Sequence, residues 1–186
     1  MSASVTAPAV AEGTIVFTDI VGFTEFTALQ GDEQALELLE HQARIVREAL
    51  PAGARIVKEL GDGLLLWFPD VGRALETCLR MQTLFEEQAD GLMLPLGVRI
   101  GMHFGRPRVR GEDLIGHDVN VAARIVDVAG PGEVLLSQEA CARAGDVSRL
   151  CAFEEIGPVV RKGLPDPILL FRAVNAAGGE FETGNW

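Results

Sequence analysis

Two aspartates in this sequence stand where a carboxylate can do chemistry. Asp19 lies in Phe17-Thr18-Asp19-Ile20-Val21-Gly22-Phe23-Thr24, where a strand-like run gives way to a helix. Asp62 lies in Gly61-Asp62-Gly63, a tight turn between two apolar runs. Carboxylate oxygens hold hard divalent cations, and the unpaired N–H groups at a helix start hold phosphate. Together the two settings point to metal-assisted chemistry on a nucleoside triphosphate.

Cations are the natural complement to such a ligand. Lys58 and Lys162 are the only lysines among sixteen basic residues, so fourteen (16 − 2) are arginines. A lysine is a compact, flexible point donor where arginine is a planar fork, so the two that remain mark positions where the fork does not serve. They fit ordinary surface lysines equally well. In Asp113-Leu114-Ile115-Gly116-His117-Asp118-Val119-Asn120-Val121-Ala122-Ala123-Arg124, Asn120 and Arg124 are four apart and share a helix face. Buried there, both need partners; the alternative is a capping or salt-bridge pair on the surface.

The elements that must position these residues are legible from periodicity. Gly13 to Phe17 reads as a strand. The helix after it carries Leu36, Leu39, Ala43, Val46 and Leu50 as one buried stripe and stops at Pro51 and Gly53. Ile56 to Leu60 and Leu64 to Phe68 form a β-hairpin around Gly-Asp-Gly. A second helix follows with Val71, Leu75, Cys78, Met81 and Phe85 inward. In the next strand Leu96, Val98, Ile100, Met102 and Phe104 alternate with Gly97, Arg99, Gly101, His103 and Gly105. One face is core; the other, nearly stripped of side chains, admits a close backbone approach. Val119 to Ala129 is a third helix. Val134 to Leu136, a short helix from Gln138 to Ala144, and strands near Phe153 and Ile168 to Val174 complete the set. The order β-α-β-β-α-β describes an α+β fold, a ferredoxin-like βαββαβ split sheet with helices on one face and C-terminal α/β additions.

A chain of 186 residues, 48% apolar, suits one core. Its net charge of −11 excludes a nucleic-acid binder of the usual basic kind. Cys78, Cys141 and Cys151 lack metal-ligand spacing and read as reduced thiols of a cytoplasmic protein. No apolar run reaches membrane-spanning length, and the start lacks the positive leader of a signal peptide. Residues 1–12 are expected to form a flexible tail, 13–174 the folded domain, and 175–186 a disordered tail.

The motifs resemble the class III nucleotidyl cyclase catalytic domain, in its bacterial, short-arm subgroup. They are Phe17 to Thr24, Lys58-Glu59-Leu60-Gly61-Asp62-Gly63, Arg99-Ile100-Gly101-Met102-His103, Asp113 with Val119 to Arg124, and Lys162-Gly163, in the family's order. The resemblance implies two divalent cations, Mg²⁺ or Mn²⁺, held by Asp19, Asp62 and the Ile20 carbonyl. It implies that the amides of Val21, Gly22, Phe23 and Thr24, with Arg99 and Lys162, bind phosphates. Lys58 and Asp113 would read the base, Asn120 orient the ribose and Arg124 stabilise the transition state.

A lysine donor and an aspartate acceptor complement adenine N1 and its exocyclic amine. Guanine reverses that pattern, and unpaired polar groups of this kind discriminate by about 10⁴. The resemblance therefore implies an adenylate cyclase, turning ATP into 3′,5′-cyclic AMP and pyrophosphate by two-metal in-line attack of the ribose 3′ oxygen on the α-phosphate. It also implies a homodimer, with Asp19, Asp62 and Arg99 of one copy meeting Lys58, Asp113, Asn120, Arg124 and Lys162 of the other. Between Gly105 and Asp113 the chain is shorter than in many members, which weakens the grip of one copy on the other. Asp118 competes with Asp113 as base reader, and His103 and His117 read as structural. The rival functions are a guanylate cyclase and a catalytically silent nucleotide-binding module; a silent module would be expected to have lost Asp19, Asp62, Asn120 or Arg124, and all four are present. A cyclic-dinucleotide synthase of related sheet would carry a Gly-Gly-Asp/Glu-Glu-Phe turn, which the hairpin lacks.

Overall fold

The computed structural model describes residues 9–92, 97–161, 163, 164 and 166–176. Strand β1 (Gly13–Ile20) leads through helices α1 (Phe23–Gln30) and α2 (Asp32–Ala49) to the hairpin β2 (Arg55–Leu60) and β3 (Gly63–Phe68). Helix α3 (Val71–Leu92) returns the chain to β4 (Val98–Gly105). A short ribbon, β5 (Arg108–Arg110) and β6 (Asp113–Ile115), precedes α4 (His117–Val126). Then come β7 (Val134–Ser137), α5 (Gln138–Cys141), β8 (Cys151–Val159) and β9 (Ile168–Asn175).

The main sheet has the order β2-β3-β1-β4-β7-β9-β8, and β1 is antiparallel to both β3 and β4. The first four strands are thus the split βαββαβ arrangement, extended by the C-terminal strands. On one face Val16, Leu66, Ile100 and Met102 pack with Leu38 and Ile45 of α2 and with Leu75, Cys78 and Phe85 of α3. The inward stripe expected of α3 is buried throughout. That of α2 holds at Ala43 and Val46, which are buried, with Leu39 and Leu50 packed against the core; Leu36 alone is exposed, and Ala35, Leu38, Gln42, Ile45 and Ala49 widen the buried face. Gln42 won a core position because its amide can donate to the buried Thr18 hydroxyl.

The opposite face is covered by α4, whose Ala122 and Val126 pack on Ile15, Phe17 and Leu65. This explains the bare side of β4. A Cβ on Gly101 would lie 2.3 Å from the Val126 amide nitrogen, and one on Gly105 would lie 2.4 Å from Asp118 Cγ. The close backbone approach expected there is the approach of α4.

Residues 9–11, expected in the N-terminal tail, run beside β5: Val109 N–H donates to the Ala9 carbonyl and Ala11 N–H to the Pro107 carbonyl. Asn175 is the last residue of β9, and residues 177–186 lie outside the described residues, as do residues 1–8 and Leu96.

Candidate active site

Asp19 belongs to β1 itself, not to the strand–helix junction, and sits opposite Arg99 on β4 and Gly63 on β3. Arg99 Nε donates to Asp19 Oδ2 at 2.7 Å, and Nη2 lies 2.5 Å from the same oxygen. Gly61 (φ 68°) makes the hairpin turn in the left-handed region. A side chain at Gly63 would collide with the Thr18 carbonyl, 2.6 Å away. These two glycines let Asp62 come up beside Asp19. Burial pushes the Asp62 carboxyl above the usual carboxylate range, and the Asp19 charge adds to it; a backbone hydrogen bond and Arg99 pull it back. Two oxygen-donor groups whose charges repel form a set suited to a hard divalent cation. Asp19, Asp62 and the Ile20 carbonyl therefore fit such an ion by their chemistry. No group of three or more His, Cys, Asp or Glu side chains gathers at one point among the described residues.

The amides expected to hold phosphate divide. Val21 N–H is already used, donating to the Gly97 carbonyl at 2.8 Å. Gly22, in the left-handed region at φ 78°, caps α1, and the amides of Gly22, Phe23 and Thr24 have no partner a turn earlier in that helix. Val21 therefore leaves the expected set because its N–H ties the end of β1 to the start of β4.

Lys58 and Asp113 come together: Nζ donates to Oδ2 at 2.7 Å, with both side chains a little over one third exposed. The Lys58 hydrogen bond holds the Asp113 carboxyl below the usual range. The competing Asp118 is used elsewhere, its Oδ2 accepting from the Arg106 amide at 2.6 Å. Two features that place this pair were not legible in the sequence. One is the β5–β6 ribbon that carries Asp113. The other is Arg55, whose Nη1 donates to the Glu112 carbonyl at 2.9 Å. An arginine three residues before Lys58 was the only signal.

Asn120 and Arg124 do share a face of α4, but it is not a buried one. Both are exposed, and Arg124 Nη1 donates to Asp127 Oδ2 at 3.0 Å. Of the two arrangements the sequence allows, a buried pair or a surface one, the structure has the surface one: α4's own inward set, Val121, Ala122, Ile125 and Val126, turns Asn120 and Arg124 outward. Lys162 lies outside the described residues. His103 is buried, with Nδ1 2.8 Å from Ser137 Oγ and Nε2 3.6 Å from Asp118 Oδ1. Burial lowers its pKa, against the raising effect of Asp118 and Glu139. The neighbouring cleft, between His103, Asp118, Glu139 and the segment 166–169, is lined by neither Asp19 nor Asp62.

No helix among the described residues is long and apolar enough to cross a membrane. The sequence matches the adenylate and guanylate cyclase catalytic domain over residues 5–170. It is 29% identical over 172 residues to the pH-sensitive adenylate cyclase MT1302 of Mycobacterium tuberculosis, covering 91% of this chain and 42% of that protein. It is 35% identical over 121 residues to the adenylate cyclase of Streptomyces griseus, covering 64% of this chain and 29% of that one. The chain thus spans less than half the length of these curated relatives. Among solved structures, the adenylyl cyclase CyaB of P. aeruginosa superposes with a TM-score of 0.78 at 23% identity, covering 95% of this chain and 100% of that one. The guanylyl cyclase Cya2 superposes with a TM-score of 0.78 at 24% identity, covering 93% and 96%. At that identity the superpositions speak for the fold, and the match along most of the sequence speaks for descent: the chain belongs to the adenylate and guanylate cyclase catalytic domain family.

Proposed function

We propose that this protein is an adenylate cyclase that forms 3′,5′-cyclic AMP from ATP at sites shared between two copies of the chain. The observation that carries the substrate choice is the Lys58–Asp113 pair. Its donor and acceptor, 2.7 Å apart, are the two groups that adenine's N1 and exocyclic amine require. The adenylate cyclases among the relatives support the same choice.

The ribose 3′ hydroxyl gives up its proton to solvent as its oxygen bonds to the α-phosphorus, and the bond from that phosphorus to the bridging oxygen breaks, releasing pyrophosphate. Asn120 orients the ribose for this attack. Arg124 exchanges Asp127 for the charge that develops on the α-phosphate, a stabilisation of on the order of 10²-fold or more in rate. Arg99, Lys162 and the first amides of α1 hold the phosphates. Two divalent cations, Mg²⁺ or Mn²⁺, held by Asp19, Asp62 and the Ile20 carbonyl, would supply Lewis acidity to the 3′ hydroxyl and the triphosphate.

Sharing between copies is supported by the exposure of Asn120 and Arg124. Among the described residues Arg124 bonds only to Asp127, the residue that caps its own helix, and to neither Asp19 nor Asp62. A homodimer with two equivalent sites gives such a surface arginine its phosphate.

The test incubates purified protein with ATP or GTP and each metal and separates the products by chromatography. Cyclic AMP is expected as the dominant product. Lys58→Glu combined with Asp113→Gly should lower the ATP:GTP ratio of kcat/KM by at least about tenfold. Dominant cyclic GMP from the unmodified protein would make it a guanylate cyclase, and no cyclic product with either nucleotide would make it a silent module.

A further inference from the structure

We infer that Arg55 is a positioning residue for purine selection: it fixes the gap between Lys58 and Asp113 by holding the backbone of the ribbon that carries Asp113. The inference rests on the base-reading role proposed for that pair.

The β-bulge in β2 is the first ground. Arg55 pairs with Trp67 and Ile56 with Leu66, but Lys58 pairs with Leu65, so Val57 is the extra residue. Trp67 and Leu65 are two apart on β3 and share a face. The bulge therefore puts Arg55 and Lys58, three apart in sequence, on that same face, where a regular strand would have opposed them.

The second ground is how loosely the ribbon is otherwise held. Its strands are three residues each and form a two-stranded sheet separate from the main one, joined on its outer side by a single bridge from Val10 to Arg108. Such a ribbon is marginal by itself. Leu114, buried at 1% exposure, anchors it, and Ala9 and Ala11 flank β5 on the side away from Asp113. Toward β2 the ribbon makes two polar ties: Lys58 Nζ to Asp113 Oδ2, and Arg55 Nη1 to the Glu112 carbonyl.

These ties respond differently to a nucleotide. A purine read by Lys58 and Asp113 competes for the same nitrogen and oxygen, so the first tie opens when the site fills. The Glu112 carbonyl and Arg55 guanidinium take no part in that exchange. Arg55 therefore keeps Asp113 at its distance from Lys58 while the base sits between them. The cost of losing it falls on the purine whose edge matches the set distance.

The experiment measures kcat and KM for ATP and GTP with the full chain and its Arg55→Gln, Arg55→Lys and Glu112→Ala variants. Arg55→Gln should raise KM for ATP about three- to tenfold with kcat within about twofold, and lower the ATP:GTP ratio by a similar factor. Arg55→Lys, which keeps a cationic donor, should recover most of the ratio. Glu112→Ala, which keeps the carbonyl, should match the wild type. An Arg55→Gln protein with an unchanged ATP:GTP ratio, or with kcat reduced and KM constant, overturns the inference. A wild type with no ATP preference, or one that Asp113→Ala leaves intact, instead removes the base-reading role, and the inference falls with it.

Discussion

Arg99 and Asp19 are direct cross-strand partners, and the guanidinium commits two nitrogens to one oxygen of that carboxylate. The partly exposed pair gains little net stability from its Coulomb term. Its effect is on local charge: Arg99 balances Asp19, and at Asp62 beside them burial and the Asp19 charge outweigh the pull of a backbone hydrogen bond and of Arg99.

That imbalance predicts the behaviour of Asp62→Asn. A carboxyl whose folded pKa lies above its unfolded value binds its proton more tightly in the fold. Ionised Asp62 thus costs stability above the folded pKa, and stability is regained as pH falls through that value toward the unfolded one. The asparagine variant should melt about 1–2 °C higher than wild type at pH 7, a small gain because the group is partly solvated. The wild type should gain Tm with Mn²⁺, and the variant should lose both that gain and cyclase activity. Thermal scans with and without Mn²⁺ check this; a variant that keeps the Mn²⁺ shift removes Asp62 from the metal site.

Complementation addresses the sharing of the site. Asp19→Ala and Arg124→Ala proteins should each retain under about 1% of wild-type activity. Mixed in equal amounts after subunit exchange, half the dimers carry one intact site of two, so about one quarter of the activity should return. Exchange is followed with differently tagged copies. Proven exchange with no recovery contradicts a site built from both chains.

The sequence made the carboxylates legible because their cause is local. Two glycines around Asp62 and the strand that runs through Asp19 determine where those side chains go. Lys58 and Asp113 were readable as types, but what brings them together is a bulge at Val57 and a three-residue ribbon, neither of which periodicity detects. For α4 the apolar residues gave the helix but not its orientation. Asn120 and Arg124 turned out exposed because Val121, Ala122, Ile125 and Val126 claim the sheet. The buried face of α2 is wider than its apolar stripe for a related reason: a buried Gln42 carries no hydrophobic signal.

His103 predicts a pH dependence of stability. Burial lowers its folded pKa, so the unfolded chain takes up the proton first. The stability this group provides is present above its unfolded value near 6.5 and is lost as pH falls through that value toward the folded pKa. Asp118 and Glu139 moderate the loss by stabilising the charged ring. His41, also lowered by burial and by Arg44, contributes a decline of the same sign in both proteins. Urea unfolding of wild type and His103→Gln between pH 8 and about 5 should therefore show a shallower decline in the variant. Equal slopes would leave the wild-type decline to His41 and other groups.

Gly101 joins the fold to the reaction. Its missing side chain is what lets α4 lie on β4, since a Cβ would meet Val126 N at 2.3 Å and Val126 Cα at 2.8 Å, both backbone atoms that cannot rotate away. Gly101→Ala must push the helix off the sheet, at a cost of about 1–3 kcal/mol for overpacking. The displaced helix also carries Asn120 and Arg124, and a shift of about 1 Å in a positioning element costs on the order of 10²-fold in rate. The variant should thus lose far more kcat than its remaining folded fraction accounts for, with Lys58–Asp113 selectivity between ATP and GTP largely kept. Circular dichroism gives the folded fraction and initial rates give kcat. Activity that falls only in proportion to the folded fraction would mean that the placement of α4 on β4 does not govern the reaction.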